Sequence, residues 1–283
     1  MAAWFDKLTT AGLAWHRPPQ RGQAGDSGAA RKVHMKLKDK VAIVTGGASG
    51  FGRAIAEVFA REGACVLVAD IDGEGARAVA AAIGGQAAHI AADVSKKRDV
   101  DGMVAATVKA FGGLDIMVNN AGTAHKRQAL AEVSEEEFDR VFAVNVKSIY
   151  LAAVACVPQM EKRGGGVIIN TASTAGLRPR PGLTWYNGSK GAVITLSKSM
   201  AAELGPKNIR VCALCPTIAE TGMLELFMGT KDTPENRARF QATIPLGRLC
   251  TPADVASAAL FFASPESSMI TGVALEIDGG RCV

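Results

Sequence analysis

The sequence predicts an α/β chain: a doubly wound parallel sheet of about seven strands with helices on both faces. Three observations carry this. From Lys40 onward, short β-branched apolar runs alternate with stretches of helical period. The strand-like runs are apolar at successive positions, as strands buried on both faces must be. Glycine is plentiful at 31 of 283 residues and aromatics are scarce at 5%, which suits many tight strand-to-helix turns.

The elements follow in order. Val41–Thr45 reads as the first strand, and a glycine-rich turn leads from it into helix Arg53–Arg61. Cys65–Ala69 and helix Gly75–Ile83 come next, then strand Ala87–Ala92, helix Lys96–Phe111 and the short strand Ile116–Val118. Ser134-Glu-Glu-Glu137 has the hydroxyl-to-carboxylate spacing of a capping box and opens one long helix to about Arg163. Strand Val167–Thr171, helix Trp185–Leu204, strand Ile209–Leu214, helix Pro252–Ala263 and strand Val273–Ile277 complete the alternation. Residues 217–250 break the rhythm, with Met223–Met228 and Pro234–Ala242 reading as inserted helices. Open α/β sheets bind ligands beyond the carboxyl ends of their strands, so this insertion is expected to be a substrate lid.

Residues 35–283 therefore read as one domain, and residues 1–34 as a disordered N-terminal extension broken by Pro18-Pro19 and several glycines. That extension is basic and acid-poor, and a targeting peptide is the sharper alternative. It carries a net charge of +3 out of the chain's +5, so the domain itself is too weakly basic to imply a nucleic-acid partner. No apolar run approaches the roughly 20 residues of a membrane span. Of the six cysteines only Cys212 and Cys215 have suggestive spacing, but no second pair accompanies them, and three apart on a strand they point to opposite faces. Buried reduced thiols and a cytoplasmic location are expected, with no metal.

Thr45-Gly-Gly-Ala-Ser-Gly-Phe-Gly52 lies between the first strand and the first helix. Gly46 permits the sharp turn, Gly50 lets backbone approach a pyrophosphate, and Gly52 lets helix and strand pack closely. The helix N-terminus beyond presents free N–H groups to phosphate. Asp70 ends the second strand, eighteen residues past Gly52, where a carboxylate can accept from both adenosine ribose hydroxyls and would repel a 2′-phosphate. Neither Ser49 nor Ile71 is a cation that would offset it, and Arg53 is read as structural. The cofactor expected is NAD rather than NADP.

Tyr186-Asn-Gly-Ser-Lys190 opens a helix, so the phenol and the ammonium share one face, a turn apart. A free tyrosine with a pKa near 10 is a poor base, and a nearby ammonium should lower that value toward neutrality. By itself Y-x-x-x-K recurs by chance in many chains. The ordered set Thr45–Gly52, Asp93, Asn119-Asn-Ala-Gly122, Asn145, Ser173, Tyr186/Lys190 and Pro216 to Thr221 nevertheless resembles the short-chain dehydrogenase/reductase family, over roughly Lys38 to Val283. Gly247-Arg248, Pro252-Ala-Asp-Val255, Thr271-Gly272 and Asp278-Gly-Gly280 look like that family's closing run.

The resemblance implies a Rossmann-like dehydrogenase that interconverts a secondary alcohol and a ketone using NAD. Tyr186 would be the acid/base, Lys190 would hold the nicotinamide ribose, Ser173 would bind the substrate oxygen, and Asn145 would position a water linking Lys190 to solvent. Ser49, Phe51, Ile71 and Ala219 would join the three glycines and Asp70 around the cofactor. Asp93 and Val94 would meet the adenine, and Asn120, Ala121 and Gly122 would line the dinucleotide. Pro216 would lie by the nicotinamide, with Thr221 bonding its carboxamide. Thr217 stands where the family commonly has glycine, which is expected to reshape the substrate pocket.

The pocket wall is expected to include Thr123, His125, Leu183, Trp185, Met223, Leu224, Phe227 and Met228, and is mainly apolar. Lys126, Arg127, Arg178 and Arg180 read as solvated loop charges. The resemblance also implies a homo-oligomer, a dimer or tetramer pairing the helices near 134–163 and 185–204. A 3-oxoacyl thioester reductase is the runner-up within the enzyme class, disfavoured by Asp70, and a non-catalytic NAD sensor is the alternative outside it.

Overall fold

Side chains alternate across a strand, so a strand apolar at every position must be covered on both faces. The computed structural model describes residues 35–283, and the disordered extension expected over residues 1–34 lies outside them. Seven strands form the sheet: β1 (Val41–Thr45), β2 (Cys65–Asp70), β3 (Ala87–Ala91), β4 (Ile116–Asn119), β5 (Gly166–Thr171), β6 (Ile209–Pro216) and β7 (Ala274–Ile277). They lie in the order β3-β2-β1-β4-β5-β6-β7, every pair parallel. The helices between them are α1 (Gly50–Arg61), α2 (Gly73–Ile83), α3 (Lys97–Phe111), α4 (Glu135–Phe142) and α5 (Ser148–Lys162). After them come α6 (Thr184–Leu204), α7 (Leu224–Met228), α8 (Pro234–Gln241) and α9 (Pro252–Ala263).

The alternation sorts the core into two layers. Val44, Val66, Val68, Val118 and Leu214 pack under Ile55 and Phe59 of α1, Val79 of α2 and Phe262 of α9. Their neighbours Ile43, Leu67, Met117, Ile168 and Val211 point the other way, onto Met103 of α3, Leu151 and Met160 of α5 and Leu204 of α6. Cys212 falls in the first layer and Cys215 on the opposite face, both buried and free. The strand order runs outward in opposite directions from β1 and β4, which opens a crevice at their carboxyl ends.

Local chemistry departs from expectation in the long helix. The stretch expected to run unbroken from Ser134 to Arg163 is α4 and α5 joined by one π turn, Ala143–Lys147. Asn145 sits in that turn with its amide turned to the backbone of Thr123, and such π turns are how a helix accommodates a side chain with a separate task. Ser134 accepts from the Glu137 N–H at 3.2 Å, the N-cap half of the expected box. The full capping box is at α9, where Thr251 and Asp254 each accept from the other's N–H. The span Glu135–Lys162 does have the length and composition of a membrane crossing, contrary to the sequence count. In the fold, however, α5 buries Leu151, Ala152, Cys156 and Met160 against the sheet, as a core helix does. In the insertion, Ile218, Leu224, Met228, Ile244 and Leu249 form a small separate apolar cluster.

One polar chain crosses the second layer. Asn119 Nδ2 donates to Asn170 Oδ1 at 2.8 Å, Asn170 Nδ2 to Ser197 Oγ at 2.9 Å, and Ser197 Oγ to the Val193 carbonyl at 2.7 Å. Asn170 is fully buried, so this chain fastens β4, β5 and α6 together where water cannot substitute. Asn170→Ala leaves a buried amide and a buried hydroxyl each short of a partner and is expected to lower the unfolding free energy by about 2–4 kcal/mol. The urea midpoint should fall at unchanged slope. A loss under about 0.5 kcal/mol would show that the network does not hold these elements.

Candidate active site

The crevice at the carboxyl ends of β1, β4, β5 and β6 is a cavity of about 910 Å³, at the upper end of the size range of small-molecule sites. It gathers most of the residues singled out in the sequence. One end is walled by Gly46, Ser49, Gly50 and Phe51 of the first turn, Asp70 and Ile71 after β2, and Asp93 and Val94 after β3. Asn120, Ala121 and Gly122 follow β4, and the other end holds Ser173, Tyr186, Lys190, Pro216, Thr217, Ala219 and Thr221. Gly52 and Asn145 are not in the wall.

The first turn brings bare backbone up to the cavity. Gly46 has φ +63°, and a Cβ there would lie 2.9 Å from the Cα of Ala121. Asn120 Nδ2 pins the turn by donating to the carbonyls of Thr45 at 2.9 Å and Gly46 at 3.2 Å. Gly52 stands behind the turn because a Cβ on it would meet the Gly46 oxygen at 2.0 Å, so its task is close packing. Ser49 makes no side-chain cap and the first turn of α1 carries no acid. Uncapped N–H groups and the positive helix end are therefore directed at the cavity. Asp70 accepts from the N–H of Ala48 and of Asp72, each at 3.0 Å, which holds its carboxylate in place while leaving a lone pair on each oxygen. Arg53 turns away to Glu57 at 2.7 Å.

At the far end, Tyr186 and Lys190 are 6% and 4% exposed, and Lys190 Nζ lies 5.9 Å from the phenol ring centre. Lys190 Nζ donates to the Thr171 carbonyl at 2.7 Å. The expected lowering of the phenol by this ammonium is overridden. Burial pushes Tyr186 up to about 12, offset in part by the nearby Ser173 hydroxyl. Burial likewise pushes Lys190 down to about 8. Removal of both groups from water outweighs their mutual effect at this separation.

Asn145 acts from behind. Its Oδ1 accepts from Thr123 N at 2.8 Å, and its Nδ2 donates to the Thr123 carbonyl at 2.8 Å and to Ser189 Oγ at 3.0 Å. Ser189 Oγ in turn donates to the Tyr186 carbonyl at 2.7 Å. Asn145 therefore ties the segment after β4 to the opening two turns of α6, a positioning residue rather than part of the wall.

The substrate side is only partly as the sequence suggested. Thr123, Leu183, Met223 and Phe227 line it, and the Phe227 and Tyr186 rings are 5.2 Å apart. Leu224 and Met228 instead bury in the insertion's own cluster, one helical face away. His125 is buried outside the wall, and Trp185 packs edge-on against Phe138 with its N–H on the Leu130 carbonyl. Of the expected loop charges, Lys126, Arg127 and Arg178 are exposed, but Arg180 is half-buried in the wall. Sequence reasoning missed Asn187 and Arg281, both buried wall residues. Asn187 adjoins a recognised motif, whereas nothing local marks Arg281 in the turn after β7. Thr217 Oγ1 accepts from Arg281 Nη1 at 3.2 Å, a partner that glycine at 217 would not offer. Among the described residues, Glu276, Asp278 and Cys282 bring ligand-type atoms within 4.8 Å, but both Asp278 oxygens already accept backbone N–H groups.

A family model described as Enoyl-(Acyl carrier protein) reductase matches residues 46–281. The 4-formylbenzenesulfonate dehydrogenase of Comamonas testosteroni is 52% identical over 250 residues, spanning 87% of this chain and 99% of that one. The 2-(S)-hydroxypropyl-CoM dehydrogenase 3 of Xanthobacter autotrophicus is 38% identical over 254 residues, spanning 87% and 97%. The crystal structure of 3-ketoacyl-(acyl-carrier-protein) reductase from Brucella melitensis complexed with NADH superposes with a TM-score of 0.83 at 47% identity, covering 87% of this chain and all of that one.

The buried lysine has a consequence in solution. Its folded pKa, about 8, lies below the unfolded value of 10.5, so between these the unfolded chain binds the extra proton and stability rises with pH. The unfolding free energy of the wild type relative to Lys190→Met should climb by about 2–3 kcal/mol across that window. Urea titrations at intervals from pH 7.5 to 10.5 measure it, and a flat difference would mean that Lys190 is solvated.

Proposed function

The chain belongs to the short-chain dehydrogenase/reductase family, and on that premise we propose that it is an NAD-dependent oxidoreductase interconverting a secondary alcohol and its ketone. The observation that carries this is the convergence of Ser173, Tyr186 and Lys190 at one end of a cavity whose other end holds Asp70 and the uncapped N-terminus of α1. The dinucleotide would lie with its pyrophosphate on the first turn, Gly46 to Phe51, and its adenosine ribose on Asp70. Ile71, Asp93 and Val94 would flank the adenine. Asn120, Ala121, Gly122, Pro216, Thr217, Ala219 and Thr221 would line the nicotinamide half, with Lys190 at its ribose. Bound NAD supplies a hydride acceptor, and NADH a donor, at the nicotinamide ring.

The chain's own residues handle the proton. Ser173 and Tyr186 hold the substrate oxygen between two hydroxyls. With its phenol near 12, Tyr186 is protonated at neutral pH and ready to give a proton to the oxygen of a ketone being reduced. In oxidation the same phenolic oxygen takes the alcohol proton, which requires tyrosinate and is favoured by the Lys190 ammonium. Oxidation should therefore quicken as pH rises toward the phenol's value, while reduction, whose donor is already protonated, should stay level below it. Leu183, Met223 and Phe227 keep water from the reacting carbon, and residues 217–250 serve as the lid over it.

Reduction of 3-oxoacyl thioesters is the second reading, favoured by the family model's description and by the NADH-bound Brucella relative. That relative also removes the objection that an NAD-type site is foreign to such reductases. NADH-dependent reduction of acetoacetyl-CoA separates the two. A homodimer or homotetramer is supported by Tyr150 and Val154, 63% and 50% exposed on α5, beside the face that would meet a second copy. A cytoplasmic location is supported by six cysteines that are all free.

Tyr186→Phe is expected to lower kcat about a thousandfold while NAD affinity stays within about threefold. A variant that keeps wild-type kcat would remove Tyr186 from proton transfer. NAD should raise the melting temperature more than NADP at equal concentration, because the 2′-phosphate meets Asp70. The reverse order would overturn the ribose assignment.

A further inference from the structure

We propose that Arg281, with Arg180, forms an anion-binding subsite in the substrate half of the cavity, and that the alcohol or ketone carries a carboxylate or sulfonate on an apolar body. The proposal rests on the alcohol–ketone reading above and deepens it.

Arg281 is 6% exposed and lines the cavity, yet its guanidinium is poorly matched within the protein. Nη1 donates to Thr217 Oγ1 at 3.2 Å, while Nε is buried with no acceptor. Among the described residues no carboxylate forms an ion pair with it. Asp278, three residues before, directs its oxygens to the N–H groups of Gly280 at 2.8 Å and Cys282 at 2.7 Å. The Phe240 ring lies 5.9 Å from the guanidinium carbon. A buried arginine without a carboxylate is costly unless something that enters the site completes it.

The surroundings add positive charge rather than cancel it. Arg180 stands half-buried in the same wall, its carbonyl held by Asn187 Nδ2 at 2.8 Å and its guanidinium without an ion-pair partner among the described residues. Arg178 donates from Nη1 to the Arg281 carbonyl at 2.6 Å. Burial first, then repulsion from Arg180, pushes Arg281 down to about 10, which still leaves it cationic at neutral pH. The dinucleotide does not supply the missing anion. Arg281 is bound to the residue after β6, three strand positions from β1, whose turn receives the pyrophosphate. At 4.7–4.9 Å per strand that separation is about 14 Å. A planar guanidinium with free donors suits the oxyanion of a carboxylate or sulfonate, and Leu183, Met223 and Phe227 accept the apolar remainder.

Calorimetric titration of the NADH-loaded protein with 4-ethylbenzoate, 4-ethylbenzenesulfonate and neutral 4-ethylbenzamide tests this. At least one anion should bind ten or more times tighter than the amide, and the tighter of the two identifies the group. In Arg281→Met the anion-to-amide ratio should fall to within twofold of one. Should that variant not fold, Arg180→Gln decides, with a ratio reduced at least threefold. Equal binding of anions and amide by the wild type, or an unchanged ratio in the folded variant used, overturns the subsite. Turnover of 4-(1-hydroxyethyl)benzoate with NAD is measured separately. An intact anion preference without turnover would count against the alcohol–ketone reading and not against the subsite.

Discussion

Strands that are apolar on every side chain have to be covered twice. In this protein that constraint organises nearly everything else. It places α1, α2 and α9 on one face of the sheet and α3, α5 and α6 on the other. Each crossover then returns to the amino edge, so all the strands run parallel and all their carboxyl ends meet at one rim. Where the order reverses between β1 and β4, the loops leave in opposite directions and cannot close over the gap. The cavity is a by-product of covering the sheet, and the loops that rim it are free to carry chemistry.

Within the cavity, withdrawal from water sets the behaviour of the ionisable groups. The same burial raises the Tyr186 phenol and lowers the Lys190 ammonium, so each moves toward its neutral form. A tyrosine in this state is a proton donor first, and it becomes a base only when neighbouring charge is brought to bear. Arg281 experiences the same desolvation without a compensating carboxylate among the described residues, which leaves charge unfinished at the Thr217 end of the cavity.

Buried amides supply the rigidity that such a site requires. Asn170 joins β4, β5 and α6, and Asn145 joins the segment after β4 to the opening two turns of α6. Both act on the helix that presents Tyr186 and Lys190. Each amide satisfies partners on two or three elements at once, so a small shift in any of them would orphan a buried polar group.

Much of this was legible in one dimension because its causes are local. A β-branched run, a glycine-rich turn and a Tyr–Lys pair one turn apart each lie within a few residues, and their periodicity is set by backbone geometry. The seven strands follow from the same short-range rules, whereas α1 and α2 begin three and two residues earlier than their periodicity indicates. Long-range contacts decided the rest. Nothing near Asn145 in the chain announces that Thr123 will occupy its amide and open a π turn, because the two meet only when α5 docks beside β4. Leu224 and Met228 have the spacing of a pocket wall, but the insertion makes a core of its own and draws them into it. Arg281 sits in a terminal turn with no motif, and only the fold brings it to Thr217 across the end of the sheet. The sequence by itself determined the sheet, the glycine-rich turn and the one-turn spacing of Tyr186 and Lys190, since each is written in neighbouring residues. The tertiary structure alone decided which groups are taken out of water together, because desolvation is a property of the packed surroundings and not of the residue.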